Sequence, residues 1–316
     1  MHVIPTNPKK SYLIPLIKFL GLLEFVSYLK KFYIISRVYE HPVLYFLRMI
    51  LFPKKQRVVR FNDGTTAPSV SIRTFYSTAI AKNASLLRNS LWKYNYLGMD
   101  VKLYTVDPVG PQIEVFQNDE YGFLNVENKE VLDVGANIGD TTLYFLFKSA
   151  KKVIAVEPYQ ANCEIIKRNL ETNLVDEKKV IVLNCGIGHR SQTTISAEII
   201  NPGACGGIES TQGKIIDIFP LSNISSMYDL QHSVLKMDCE GCEYDALLEE
   251  SCETLHCFDQ MQIEYHYGPW ILIKKLRNCG FFVSYTSPKF VPNINVERWL
   301  TLRGYIYATQ KKNTNF

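Results

Sequence analysis

The sequence predicts an α/β protein, a Rossmann-like and mostly parallel sheet with helices on both faces. Three observations predict it. Residues 130–140, E-V-L-D-V-G-A-N-I-G-D, hold an apolar run without helical period that Gly135 and Gly139 interrupt, as a fully buried strand and a tight turn would. A second such run, 153–156, ends on the acid Glu157. From residue 131 onward, short apolar runs alternate with helical patterns, the order that builds a parallel sheet covered on both faces.

The elements follow in order. Strand 131–134 leads to helix 140–148, and strand 153–156 to helix 159–172. Strand 180–184 comes next, followed by Gly186 and Gly188, a strand-like insertion at 193–199 and a glycine-rich stretch at 202–213. Strand 234–237 with helix 244–256, and strand 261–265 with helix 270–278, complete the alternation. Residues 281–285 and 305–309 close the chain as a hairpin. Upstream, Asn62-Asp63-Gly64-Thr65 signals a turn, 77–92 a helix, and 101–106 with 112–116 a hairpin split by two X-Pro pairs.

The first sixty residues differ in kind. They hold eleven Lys or Arg against two acids, net +9, whereas the remainder holds 24 against 29, net −5. A basic arm on an acidic body predicts an anionic surface met by the arm alone. Two amphipathic helices, 11–35 and 37–52, precede the basic cluster Lys54-Lys55-x-Arg57. Pro15, Lys18 and Glu24 argue against a membrane span there. Residues 1–57 therefore read as a helical cap, at a homodimer interface, or as a peripheral contact with a membrane surface. Residues 58–115 read as an accessory region and 116–316 as the ligand-binding domain.

No secretory signal with a cleavage site is evident, so a cytoplasmic location and free thiols are expected of the eight cysteines. A zinc site from Cys239, Cys242, Cys252 and Cys257 is the alternative.

A dinucleotide fingerprint needs G-x-G-x-x-G, and Asn137 stands where its second glycine would be. The pattern suits a nucleoside without a pyrophosphate, S-adenosyl-L-methionine being the common one. Asp133, Gly135, Asn137 and Gly139 would meet its methionine part, and Thr141 the helix start. Glu157 would bind two ribose hydroxyls, and Asn184 the adenine.

D-V-G-A-N-I-G-D (133–140), V-E-P (156–158), L-K-M-D-C-E-G-C-E (235–243) and I-E-Y-H (263–266) resemble the motifs of the FkbM family. The resemblance covers residues 116–310, with C-E-G-C departing from the larger residues expected at the cysteines. It implies a class I methyltransferase fold of seven strands and S-adenosylmethionine as donor. It further implies O-methylation of a hydroxyl on a glycan, a glycolipid or another natural product.

Methyl transfer to a hydroxyl needs alignment and a group that takes up the developing charge. Asp238 and Glu240 end strand 234–237 beside the donor pocket, where Asp238 would also contact the donor, and Glu264 and His266 end strand 261–265, neighbouring strands in this fold. Residues two apart on a strand share a face, so Glu264 and His266 enter one pocket, with His266 as a base. The primary reading assigns no metal, and Asp238, Glu264 and His266 are the alternative set for a divalent ion. Glu243 opens the next helix, and Lys236 pairs with an acid near the sheet end. The acidic catalytic part argues against a nucleic-acid partner, and no N-P-P-[YW] signature follows the fourth strand. A binding protein that kept the fold without turnover is the remaining alternative.

Overall fold

The structure is a computed structural model and describes residues 39–44, 47, 57–60, 66–69, 85–88, 91–105, 115–116, 118–189, 191–196, 213–292 and 300–310. The chain divides into two compact units, Met1–Ser85 and Leu86–Phe316.

In the first unit, β1 (Arg57–Arg60) and β2 (Thr66–Ser69) pair antiparallel. The turn expected at 62–65 and the amphipathic helix 11–35 lie outside the described residues. Of the helix expected at 37–52, residues 42–44 and 47 are helical, while 39–41 are a bridge and a bend.

Across the division lies a three-stranded sheet, β3 (Ser85–Arg88), β4 (Leu91–Tyr96) and β5 (Met99–Tyr104), with β4 and β5 antiparallel. This corrects the helix expected at 77–92, whose described end is strand. Leu97 and Gly98 both have positive φ, 51° and 81°, the geometry of a tight hairpin turn. The turn pairs Leu91 with Tyr104 and Trp92 with Leu103. The hairpin expected from 101–106 to 112–116 is corrected likewise, since β5 pairs backwards with β4 and residues 115–116 are helical.

The alternation from residue 131 is present. β6 (Glu130–Val134), α1 (Asp140–Phe147), β7 (Lys152–Val156), α2 (Gln160–Thr172) and β8 (Val180–Leu183) come first. β9 (Gly186–Ile187), β10 (Gln192–Ser196) and β11 (Gly213–Phe219) form a small side sheet. Helix α3 (Leu221–Met227), absent from the sequence expectation, leads to β12 (Ser233–Met237). The single helix expected at 244–256 is two, α4 (Cys242–Leu248) and α5 (Cys252–Leu255). The Ser251 hydroxyl caps the second by accepting from Thr254 N–H at 3.0 Å. Lys275 binds the Leu248 and Glu250 carbonyls left open at the break. β13 (Phe258–Tyr265), α6 (Trp270–Asn278), β14 (Phe281–Tyr285), β15 (Lys289–Pro292) and β16 (Leu300–Gln310) complete the chain.

The main sheet runs β14-β16-β13-β12-β6-β7-β8, with β15 on β16. Its five central strands are parallel, while β16 is antiparallel to β13 and to β14. This is the seven-stranded class I methyltransferase arrangement. One face buries Leu132, Val134, Leu235, Met237 and Ile263 against Leu247, Leu272 and Leu276 of α4 and α6. Helix α2 takes the β3–β5 sheet as an edge: Asn169 accepts from Tyr104 N–H at 2.7 Å, and Asn173 exchanges bonds with Lys102 N–H and C=O at 2.8 and 2.6 Å.

Two expectations about cysteine fall here. Cys239 bonds Cys242, and Cys252 bonds Cys279. The zinc set is thereby split, with Cys257 left as a thiol. The reason is local: the first pair bridges the turn into α4, and the second joins the start of α5 to the end of α6.

One buried pair ties the centre together. Lys236 on β12 lies opposite Asp133 on β6 in register, and its ammonium is 3.1 Å from Asp133 Oδ1. Burial would lower the Lys236 pKa, but Asp133 and then Asp238 outweigh it and hold the ammonium charged. Asp133→Ala should cost about 3–5 kcal/mol in urea unfolding, because it strands a buried charge. Joint replacement of Asp133 and Lys236 by Leu and Met should recover most of that loss, the two measurements together isolating the pair.

Candidate active site

Both halves of the candidate site lie at the carboxyl ends of the parallel strands, where α/β sheets bind ligands. The first half is the loop after β6. Gly135 and Gly139 have φ of 75° and 84°, and Asn137 has 49°, so three positions within five residues sit in the left-handed region. Gly135 N–H and Ala136 N–H both donate to Val156 C=O at 3.0 Å, which fastens the loop to the end of β7. A Cβ on Gly135 would lie 1.8 Å from the Asp238 carbonyl, and one on Gly139 3.2 Å from Ile166. The glycines therefore serve strand and helix packing as well as the tight turn expected from the sequence.

Glu157 is 4% exposed and reaches back over this loop. Its Oε2 accepts from Asn137 N–H at 2.9 Å, and its Oε1 from Tyr159 N–H at 2.9 Å and the Asn162 amide at 3.2 Å. A carboxylate offers about four acceptor positions, so about one is left, fewer than the two ribose contacts expected. Burial pushes the Glu157 carboxyl up to about 7 against those hydrogen bonds. Asn184 donates its amide to the Glu157 and Pro158 carbonyls at 3.1 and 2.8 Å, tying β8 to β7. Asp133 and Thr141 lie underneath. The Asp133 carboxylate is fully buried and accepts from Thr141 and Thr142 hydroxyls at 2.7 and 2.8 Å, which makes both supports of the loop.

The second half gathers Asp238, Glu240, Glu264 and His266, all expected from the sequence. From His266 Nε2, Glu240 Oε2 is at 3.3 Å, Asp238 Oδ1 at 3.9 Å and Glu264 Oε1 at 4.0 Å. Glu240 has φ of 57° and the following Gly241 has 117°, a strained bend between the two bonded cysteines. Arg303 of β16 grips the Glu240 carboxylate with two nitrogens, the closer at 2.9 Å. Tyr305 donates to Glu120 and lies 3.3 Å from Glu264. Burial, with Asp238 beside it, holds the Glu264 carboxyl well above the usual carboxylate range.

Glu243 has a role that the sequence reading missed. It is fully buried, and its Oε1 accepts from Cys239 N–H at 3.1 Å and from His266 Nδ1 at 3.0 Å. Burial would lower the His266 pKa, but the bond to Glu243 and the charges of Glu243, Asp238 and Glu240 raise it to about 9. Glu243 thus fixes the ring of His266, the base expected from the sequence, with Nε2 facing the acids. Arg303 and Tyr305 were missed too. The signal was the antiparallel register, which sets Tyr305 opposite Glu264.

Gly135→Ala tests how tightly the two halves abut. It adds the roughly 1–2 kcal/mol of a left-handed Ala to a clash with the Asp238 backbone. The urea midpoint should fall by more than an alanine elsewhere in the loop causes.

No curated protein matches the chain. Among solved structures it is similar to the methyltransferase FkbM from Methylobacillus flagellatus KT, at 18% identity and TM-score 0.39, over 59% of this chain and 45% of that one. It is similar to SMU.776, a methyltransferase complexed with SAH, at 7% identity and TM-score 0.45, over 85% and 65%. It is also similar to precorrin-6y C5,15-methyltransferase from Geobacter metallireducens GS-15, at 9% identity and TM-score 0.38, over 64% and 93%. Scores this low add nothing to what the topology already states. The family model for the methyltransferase FkbM domain matches residues 133–307, more than half of the sequence. The chain belongs to the FkbM methyltransferase family.

Proposed function

We propose that this protein transfers a methyl group from S-adenosylmethionine to a hydroxyl of a glycan, a glycolipid or another natural product. Methyl transfer and its donor follow from family membership, and the hydroxyl acceptor is the finer step. The observation that supports it is the contact of the two halves. The Asp238 carbonyl occupies the side-chain space of Gly135, so the donor loop and the acid cluster share one floor.

The residues fit the donor. Glu157 keeps an acceptor position at the end of β7, and Asn184 stands exposed at the end of β8. When bound, the donor supplies an activated methyl on a sulfonium. The chain's own residues then align the acceptor and receive its proton. Asp238, with 28% of its side chain exposed, is the acid open to that hydroxyl. His266 and Arg303 balance the charge of its neighbour Glu240. The acidic cluster also disfavours a polyanionic acceptor, which supports the small-molecule or lipid-linked class over nucleic acid.

The location is part of the proposal. Among the described residues no helix is long and apolar enough to cross a membrane. The two disulfides weigh toward an oxidising compartment and against the cytoplasm expected from the sequence. Peripheral contact through residues 1–57 and a homodimer remain proposals carried by the basic arm alone.

Calorimetric titration of S-adenosylmethionine into wild type and Glu157→Gln tests the donor half. Wild type should bind in a one-to-one ratio and the variant much more weakly. The ribose hydroxyls call for the carboxylate form of a group that titrates at about 7. Wild-type affinity should therefore fall about tenfold per unit as pH drops below 7, and the variant should lose that dependence. Absence of wild-type binding in a folded, donor-free sample would remove the basis of the reading.

A further inference from the structure

We infer that Asp238, Glu240 and His266 form a binding site for one divalent transition-metal ion. The inference rests on the geometry at the ends of β12 and β13 and not on the donor or acceptor assigned above. One ligand atom from each residue lies within 4.8 Å of the other two. An ion about 2.1 Å from each ligand spans donor atoms up to about 4.2 Å apart, so a small side-chain rotation closes the set.

A cluster of acids alone would not carry this, but the imidazole does. His266 is 1% exposed, and its buried Nε2 has no hydrogen-bond partner. That nitrogen points at Glu240 Oε2 and Asp238 Oδ1, at 3.3 and 3.9 Å. The ring is not free to turn away, because fully buried Glu243 holds Nδ1 at 3.0 Å. Glu243 on Nδ1 fixes the ring so that Nε2, once an arriving cation displaces its proton, faces the acids, the arrangement that orients histidine ligands of metals.

The charge and the donor types narrow the ion. Asp238, Glu240 and Glu264 face Nε2 within 4 Å, and Glu243 stands behind it. Arg303 offsets part of this charge by binding the same Glu240 Oε2 at 2.9 Å, while the Lys236 ammonium sits on Asp133. Thiolates are excluded, since Cys239 and Cys242 are bonded to each other. One imidazole with two carboxylates suits Mn²⁺, Fe²⁺ or Zn²⁺ better than Mg²⁺ or Ca²⁺, which favour all-oxygen sets. Three protein ligands leave positions open, as catalytic rather than structural sites do. The partly exposed Asp238 and Glu240 side chains, at 28% and 19%, give the ion a way in. A hydroxyl bound beside them would lose its proton more readily, with the second Asp238 oxygen in place to accept it.

The test is Mn²⁺ titration into the full chain after chelator treatment, followed by calorimetry and by pulsed electron paramagnetic resonance. One ion per chain with a nitrogen coupling is expected, along with no displacement by a large excess of Mg²⁺. Asp238→Asn, at a partly exposed position that tolerates an isosteric change, should abolish binding. His266→Ala should remove the nitrogen coupling, and Glu243→Gln should raise the Kd about 10- to 100-fold. S-adenosylmethionine binding is measured on the same samples, so that a failed donor and a failed metal site are told apart. Three outcomes would overturn the inference: no Mn²⁺ binding by the folded wild type, binding without nitrogen coupling, or binding unchanged in Asp238→Asn.

Discussion

The buried pair of Lys236 and Asp133 is the constraint on which both halves of the site depend. Each would be costly alone in the middle of a parallel sheet. Together they face each other across β12 and β6, and each also holds a neighbouring element. Lys236 donates to the Val134 and Gly135 carbonyls at 3.2 and 2.8 Å, which fixes where the donor loop leaves its strand. Asp133 accepts from Thr141 and Thr142, which fixes where α1 begins. The loop between these two anchors has little freedom left. Its three left-handed positions are the conformation that fits the remaining span.

The acceptor half is held by a different device. Glu240 sits in the left-handed region without being glycine, a conformation that persists only where the surroundings enforce it. Here the cystine closes the turn on both sides of Glu240, Arg303 grips its carboxylate, and Glu243 anchors both the Cys239 backbone and His266. Motif residues that are neighbours in sequence therefore do opposite jobs. Glu243 is sealed inside as a support, whereas Asp238 is left partly open.

The strand order and the site acids were legible in the sequence because the parallel strands are short apolar runs, and β7, β12 and β13 run into Glu157, Asp238 and Glu264 at their carboxyl ends. Asp238 and His266 could be placed together from strand adjacency alone. The periphery was less legible. Residues 85–92 carry Leu and Ser that suit a helix as well as a strand, and only pairing across the Leu97-Gly98 turn decides between them. Arg303 and Tyr305 were invisible for a related reason. Their roles come from an antiparallel strand arriving about forty residues after Glu264, and register over that distance is set by packing rather than by local pattern. Cysteine pairing was hidden likewise, since Cys252 and Cys279 meet only once α5 and α6 are folded.

Electrostatics separates the two carboxylate groups of the site by function. Glu157 is surrounded by backbone and amide donors, so its buried charge is stabilised by dipoles and it stays close to its titration point. That environment suits a ligand that brings further hydroxyl donors. Asp238, Glu240 and Glu264 instead crowd one imidazole, and Arg303 contacts Glu240 alone. Like charges this close repel, and burial together with Asp238 holds the Glu264 carboxyl above the usual carboxylate range. The end at Glu157 thus presents hydrogen-bonding groups, and the end at Asp238 a concentration of negative charge.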